Sequence, residues 1–161
     1  MSYASMKQVR EISWDEFHTQ TKQLAPLIRD HINYLDECQA QWKGIIAVSR
    51  GGLVPAAILA QELDLRFVET VCVAQYASAL PCEPDQLSVI KEVCSLVGNG
   101  CGWLIVDDII DSGNTMKVLH QAFPAACTCA PYIKEKACIL ADFSIELVEQ
   151  DEWLQFPWEV R

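Results

Sequence analysis

Apolar positions follow two different rhythms along the chain. Between Trp14 and Asp30 they fall at helical spacing, as Phe17, Leu24 and Ile28. Ser13-Trp14-Asp15-Glu16 reads as a capping box at the front of that stretch. The pattern predicts a helix from about Trp14 towards Asp30, with Pro26 as the point where it can break. Further along, the apolar residues form short unbroken runs. Gly44-Ile45-Ile46-Ala47-Val48 is rich in β-branched side chains and suits a strand buried on both faces, as in a parallel sheet. Ser49-Arg50-Gly51-Gly52 follows it, and Leu53 to Leu63 reads as a helix with Pro55 near its start. Arg66 to Ala74, Trp103 to Val106, Cys127 to Ile133 and Ile145 to Val148 are further strands. Met116 to Ala122 begins another helix, and Asp107 to Thr115 reads as a polar loop. Residues Gln75 to Gly100 are mixed, with Pro81, Pro84 and a Gly98-Asn99-Gly100 turn, and part of them suits a mobile loop.

This alternation predicts the α/β class: a mostly parallel sheet flanked by helices. No repeat, low-complexity tract or linker divides the chain, so residues 1–161 read as a single domain. The balance of 12 Lys+Arg against 22 Asp+Glu gives a net charge of −10. A chain this acidic is a poor general ligand for nucleic acid or for an anionic membrane surface. A small anionic substrate stays open, because a few cationic side chains, backbone N–H groups or a metal ion hold it locally.

Eight cysteines are present, with no Cys-x-x-Cys and no histidine at zinc-site spacing from a cysteine pair. The N-terminal segment lacks the apolar core of a secretory signal, and no apolar run approaches the length of a membrane span. The expectation is a cytoplasmic protein with reduced thiols.

The candidate chemistry lies in Leu104-Ile105-Val106-Asp107-Asp108-Ile109-Ile110-Asp111-Ser112-Gly113-Asn114-Thr115. An apolar strand delivers two adjacent acids to its C-terminal end, where ligands bind in open α/β sheets. Small hydroxyl and glycine residues then open a helix, whose free N–H groups favour a phosphate. Phosphate donors beside carboxylates suit a sugar phosphate, with the carboxylates accepting from sugar hydroxyls or helping to hold magnesium.

This stretch resembles the phosphoribosyl-pyrophosphate motif of the type I phosphoribosyltransferases. From about Trp42 to Trp158 the chain is similar to the bacterial purine-salvage members of that family. Gln41 to Pro55 resembles their first loop, and Trp153-Leu154-Gln155-Phe156-Pro157-Trp158 resembles their purine-pocket segment. The resemblance implies their fold, with a small hood built from the terminal segments. It implies transfer of the phosphoribosyl group from phosphoribosyl pyrophosphate to a 6-oxopurine base, guanine or xanthine and also hypoxanthine. The alternatives are an enzyme that prefers hypoxanthine and guanine, and a non-catalytic regulator that binds phosphoribosyl pyrophosphate.

By the same resemblance, Ser49, Arg50 and Gly51 bind pyrophosphate, with a non-proline cis peptide at Ser49–Arg50. Asp107 and Asp108 hold the ribose hydroxyls, directly or through magnesium, the implied cofactor. Asp111 lies next to the purine as catalytic proton acceptor or hydrogen-bond partner at its N7, and Ser112, Gly113, Asn114 and Thr115 cradle the 5′-phosphate. Asn114 stands where the family usually has glycine. Lys134, with Lys136 as the fallback, donates to the 6-oxo group. Trp153 stacks on the purine, and the Leu154 backbone reads its 2-position. Gln75-Tyr76 stands at the start of the family's flexible loop, and Lys91 is a candidate cation carried by it. The partners implied are the two substrates, no nucleic acid, and a second copy or more of the chain in a homodimer or homotetramer. No membrane span is implied, although some bacterial relatives associate loosely with the inner membrane.

Overall fold

The computed structural model describes residues 8–31, 41–75 and 87–159. Nine strands and three α-helices are present among them: β1 (Gln8–Glu11), α1 (Trp14–His31), β2 (Gly44–Val48), α2 (Leu53–Glu62), β3 (Val68–Gln75), β4 (Leu87–Lys91), β5 (Trp103–Val106), β6 (Ile109–Ile110), α3 (Asn114–Ala122), β7 (Cys127–Lys134), β8 (Phe143–Val148) and β9 (Glu152–Gln155). Two 3₁₀ segments, Ser95–Val97 and Glu135–Leu140, complete the set.

The expected start of α1 is correct in its physics. The Glu16 N–H donates to Ser13 Oγ at 3.1 Å, so Ser13 caps the helix. The Glu16 carboxylate turns instead to the Arg10 guanidinium. Pro26 does not break α1. It lies on the exposed face, where the Lys22 carbonyl it leaves unbonded stays open to water. The buried face carries Phe17, Thr21, Leu24, Ala25 and Ile28.

The main sheet is mostly parallel, as the strand–helix alternation predicts. β3 and β5 flank β2, and β7 lies beyond β5, all parallel. β4 is the exception and runs antiparallel to β3. All five residues of β2 and all four of β5 are buried, as strands covered on both faces require. Two apolar clusters cover the faces. One joins α1 and α2 to Ile45, Ala47, Leu104 and Val106. The other joins α3 to Ile46, Val48, Ile105 and Ile133.

The stretch expected as a loop after β5 contains a further strand. Leu104 faces Cys127 and Ile109 faces Tyr132. Both pairs are offset by 23 residues (127 minus 104, 132 minus 109). β6 therefore continues the line of β5, with Asp107 and Asp108 in the gap. The Asp107 N–H still donates to the Cys129 carbonyl at 3.1 Å. The next rung of a parallel ladder would run from the N–H of residue 131 to the Asp107 carbonyl. Residue 131 is proline and has no N–H to give.

The terminal segments form the hood that the resemblance implies. β1 pairs in parallel with β9 in a separate two-stranded sheet. Its core is Ile12, Phe17, Tyr132, Val148, Leu154 and Phe156. The Arg10 guanidinium ties β1 to the body through Glu16 of α1 and Glu146 of β8.

Candidate active site

The site stands at the C-terminal ends of β2, β5 and β7. Ala47 pairs with Val106, so the loop after β2 emerges beside the acids that follow β5. Ser49–Arg50 is a cis peptide, as the resemblance implies. Arg50 is exposed and Gly51 half-buried. A Cβ on Gly51 would collide with the Asp108 carboxylate, lying 2.6 Å from its farther oxygen, Oδ1. Gly52 is as tightly placed. Its Cβ would lie 2.7 Å from the Val48 carbonyl oxygen and closer still to that of Val106.

Asp107 and Asp108 are oriented by the backbone. The Asp108 N–H donates to Asp107 Oδ1 at 3.0 Å, and the Ile109 N–H donates to Asp108 Oδ1 at 2.8 Å. Burial pushes the Asp107 carboxyl well above the ordinary range, and the neighbouring Asp108 charge pushes it further. Asp108 is raised too, mainly by burial, and the Glu159 charge adds to the shift. A pair of acids with this bias suits a cation. Among the described residues no group of three or more possible ligands is gathered in one place. Asp107 and Asp108 thus fit magnesium as it is commonly held beside phosphates, by one or two carboxylates with substrate oxygens and water completing the shell.

The stretch expected to cradle the phosphate opens α3. Gly113 takes a left-handed conformation, φ 74° and ψ 0°, at the helix N-cap, where it provides no side-chain cap. The Asn114 N–H has Ser112 Oγ at 3.4 Å. The position that needs positive φ is therefore Gly113, while Asn114 is the first helical residue, so the unusual residue carries no backbone demand. Asp111, Ser112 and Asn114 are exposed and Thr115 is half-buried. The first-turn N–H groups of the helix face this loop.

Lys134 ends β7 and is only 4% exposed. Its ammonium donates to the Glu149 carbonyl at 2.6 Å and also to the Glu152 carbonyl. An ammonium has three donors, so one remains. Lys134 is thereby fastened to the turn that leads into β9, which carries half-buried Trp153 and buried Leu154. Lys136 is exposed on the 3₁₀ segment. Lys91 lies on β4, where its ammonium meets the Thr70 carbonyl and, at 3.6 Å, Glu69 Oε2. Gln75 ends β3, and Tyr76 lies outside the described residues.

Two residues near the site carry no sequence signal. Glu159 accepts the Phe156 N–H at 3.1 Å and bears on Asp108 from the hood side. Leu140 packs on Gly113. Only the folded chain brings either into place.

The phosphoribosyl transferase domain profile matches residues 13–125. The chain belongs to the phosphoribosyltransferase family. It is 41% identical over 149 residues to the xanthine-guanine phosphoribosyltransferase of Idiomarina loihiensis, covering 92% of this chain and 86% of that one. It is 36% identical over 153 residues to the enzyme of the same name from Nitratidesulfovibrio vulgaris, covering 95% and 86%. The fold is similar to that of a purine phosphoribosyltransferase from Pyrococcus horikoshii. The TM-score is 0.73 at 21% identity, covering 96% of this chain and 95% of the other.

Proposed function

We propose that this chain is a purine-salvage enzyme. It transfers the 5-phosphoribosyl group from phosphoribosyl pyrophosphate to a 6-oxopurine, guanine or xanthine and also hypoxanthine, giving the nucleoside 5′-monophosphate and pyrophosphate. One observation carries the reading. The Asp108 carboxylate packs against Gly51, and along the chain the Asp107–Asp108 pair is followed closely by the Gly113-capped start of α3. Carboxylates for a ribose thus lie beside a loop suited to pyrophosphate and, in sequence, just before a helix end suited to a phosphate.

The reaction is displacement at the anomeric carbon. The bond to pyrophosphate oxygen breaks, its electron pair leaves with pyrophosphate, and a purine nitrogen forms the new bond while the ring proton passes to the Asp111 carboxylate. Arg50 forks onto the departing pyrophosphate with two hydrogen bonds and balances its growing charge. Asp107 and Asp108 orient the ribose hydroxyls and would hold magnesium. When bound, magnesium supplies positive charge opposite the leaving group. Ser112, Gly113, Asn114 and Thr115 hold the 5′-phosphate. Asp111 stands at the purine N7 edge. The remaining Lys134 donor selects a 6-oxo group over a 6-amino group, because an ammonium cannot accept. Trp153 stacks on the ring and the Leu154 backbone meets its 2-position. The protein chiefly positions the two reactants, and the cysteines take no part.

No helix among the described residues is long and apolar enough to cross a membrane. We place the enzyme in the cytoplasm, as a homodimer or homotetramer. The test is turnover with phosphoribosyl pyrophosphate, magnesium and each of guanine, xanthine, hypoxanthine and adenine, beside an Asp111→Asn variant. Turnover of the oxopurines, little with adenine and a loss in the variant are expected. Binding of phosphoribosyl pyrophosphate without turnover of any base would overturn the enzymatic reading in favour of a regulator.

A further inference from the structure

The turn that opens α3 is tied to the helix by the Lys117 N–H, which donates to the Gly113 carbonyl at 3.0 Å, but its side chains add little. Asp111, Ser112 and Asn114 are exposed, and the Ser112–Asn114 hydrogen bond is long. Gly113 is nonetheless buried. What covers it comes from the 3₁₀ segment after β7. Leu140 Cδ1 is the heavy atom nearest the position a Cβ would take, followed by Ala137 Cβ at 3.6 Å and Leu140 Cγ at 3.7 Å. Ala137 is fully buried, and half-buried Leu140 joins it in the cluster that also holds Met116 and Leu119 of α3. The turn and the helix it opens therefore rest on one piece of core.

We propose that Leu140 is a positioning residue for the phosphate cradle. It supports the α-carbon of Gly113 from below and so fixes where the N–H groups of residues 113–115 point. The inference rests on the phosphoribosyl-transfer reading. A left-handed glycine offers a flat, side-chain-free surface, and a branched side chain fills the space against it. Removing that side chain opens a gap beneath the turn, which its hydrogen bonds, from the Lys117 N–H to the Gly113 carbonyl at 3.0 Å and the long contact at Ser112, do not fill. The base side is anchored differently. Lys134 immediately precedes the same segment, yet its ammonium is held by the Glu149 and Glu152 carbonyls. Loosening Leu140 thus acts on the phosphate and spares the base.

The experiment compares Leu140→Ala, Leu140→Met and Ile139→Ala with the wild type. Ile139 neighbours Leu140 but is 89% exposed. Steady-state constants for both substrates are measured, together with the dissociation constant of phosphoribosyl pyrophosphate by calorimetry with magnesium. Leu140→Ala should raise the Kd and KM for phosphoribosyl pyrophosphate about tenfold, because small misplacements of positioned groups are costly. The KM for the base should hardly change. Leu140→Met should restore most of the loss, and Ile139→Ala should match the wild type. An unchanged Kd in Leu140→Ala overturns the proposal, and so does an equal rise in the base and phosphoribosyl pyrophosphate constants. Should Leu140→Ala not fold, Leu140→Val carries the same comparison. Absence of turnover in the wild type defeats the proposed activity instead, and the calorimetric comparison still reads the Leu140 support.

Discussion

The Asp108 carboxylate occupies the space beside the Gly51 α-carbon that a side chain would need. The contact joins the loop after β2 to the acid pair after β5. It follows from the pairing of Ala47 with Val106, which sets the two strand ends side by side. The loop and the acid therefore have one relative placement, and it requires glycine at 51.

Gly51→Ala should lower kcat/KM by about 100-fold or more, since the new methyl must displace either Asp108 or the Arg50 loop. The far-ultraviolet circular dichroism should be retained, because the strain falls at the rim of the sheet. Kinetics near wild type would show that the loop yields freely.

Asp107→Asn should stabilise the protein in the absence of substrate and magnesium. The variant keeps an oxygen to accept the Asp108 N–H and removes a charge that burial and Asp108 both oppose. A gain of about 1 kcal/mol, or roughly 2–4 °C in Tm for a chain of this size, is expected. Turnover should fall sharply. An unchanged or lower Tm would show that the substitution relieves no opposed charge.

Burial pushes the Cys127 thiol up to about 12, and Cys129 is also well above its ordinary value. A folded-state pKa above the unfolded one favours folding fully below the unfolded value, about 8.5 for a thiol. That contribution is lost as the pH rises from there to about 12. In the native protein at pH 8, exposed Cys138 should react with a thiol reagent while Cys127 and Cys129 stay protected until unfolding. Early modification of either buried thiol would contradict their packing.

Arg10→Met should loosen the hood. The guanidinium joins Glu16 and Glu146, but all three side chains are a quarter to a third exposed, so solvent screening keeps the cost near 1 kcal/mol or below. The base KM should rise while that for phosphoribosyl pyrophosphate holds, because β1 supports β9 and not the cradle. A double-mutant cycle with Glu146→Gln would isolate the pair, and additive losses would show that they do not act together.

The central strands and the acid motif were readable because their signals are local. Ile45, Ile46, Leu104 and Ile105 form unbroken apolar runs, and the Ser13 cap lies within four residues of the N–H it accepts. The Asp107–Gly113 stretch combined an apolar lead-in with acids and a turn. The strand inside that stretch was missed because two residues, Ile109 and Ile110, are too short a run to show a period. Their pairing depends on β7, more than 20 residues away. Leu140 and Glu159 were missed for a related reason. A leucine after a strand and an acid near the chain end look ordinary, and their neighbours Gly113 and Asp108 are set by tertiary packing alone. The Lys134 carbonyl partners were equally hidden, since backbone acceptors have no residue type to recognise.

The proline beside Asp107 divides the pocket into a fixed jaw and an adjustable one. Rungs before and after the gap clamp the acids at both ends, so they share the stiffness of the sheet interior. The turn opposite has the bond from the Lys117 N–H to the Gly113 carbonyl and otherwise rests on Leu140 and Ala137. Amide hydrogen exchange should therefore be slow through Ile109 and Ile110 and fast at 111–113. Fit to a ligand would then be achieved by motion of the second jaw alone, against carboxylates that stay where the sheet holds them.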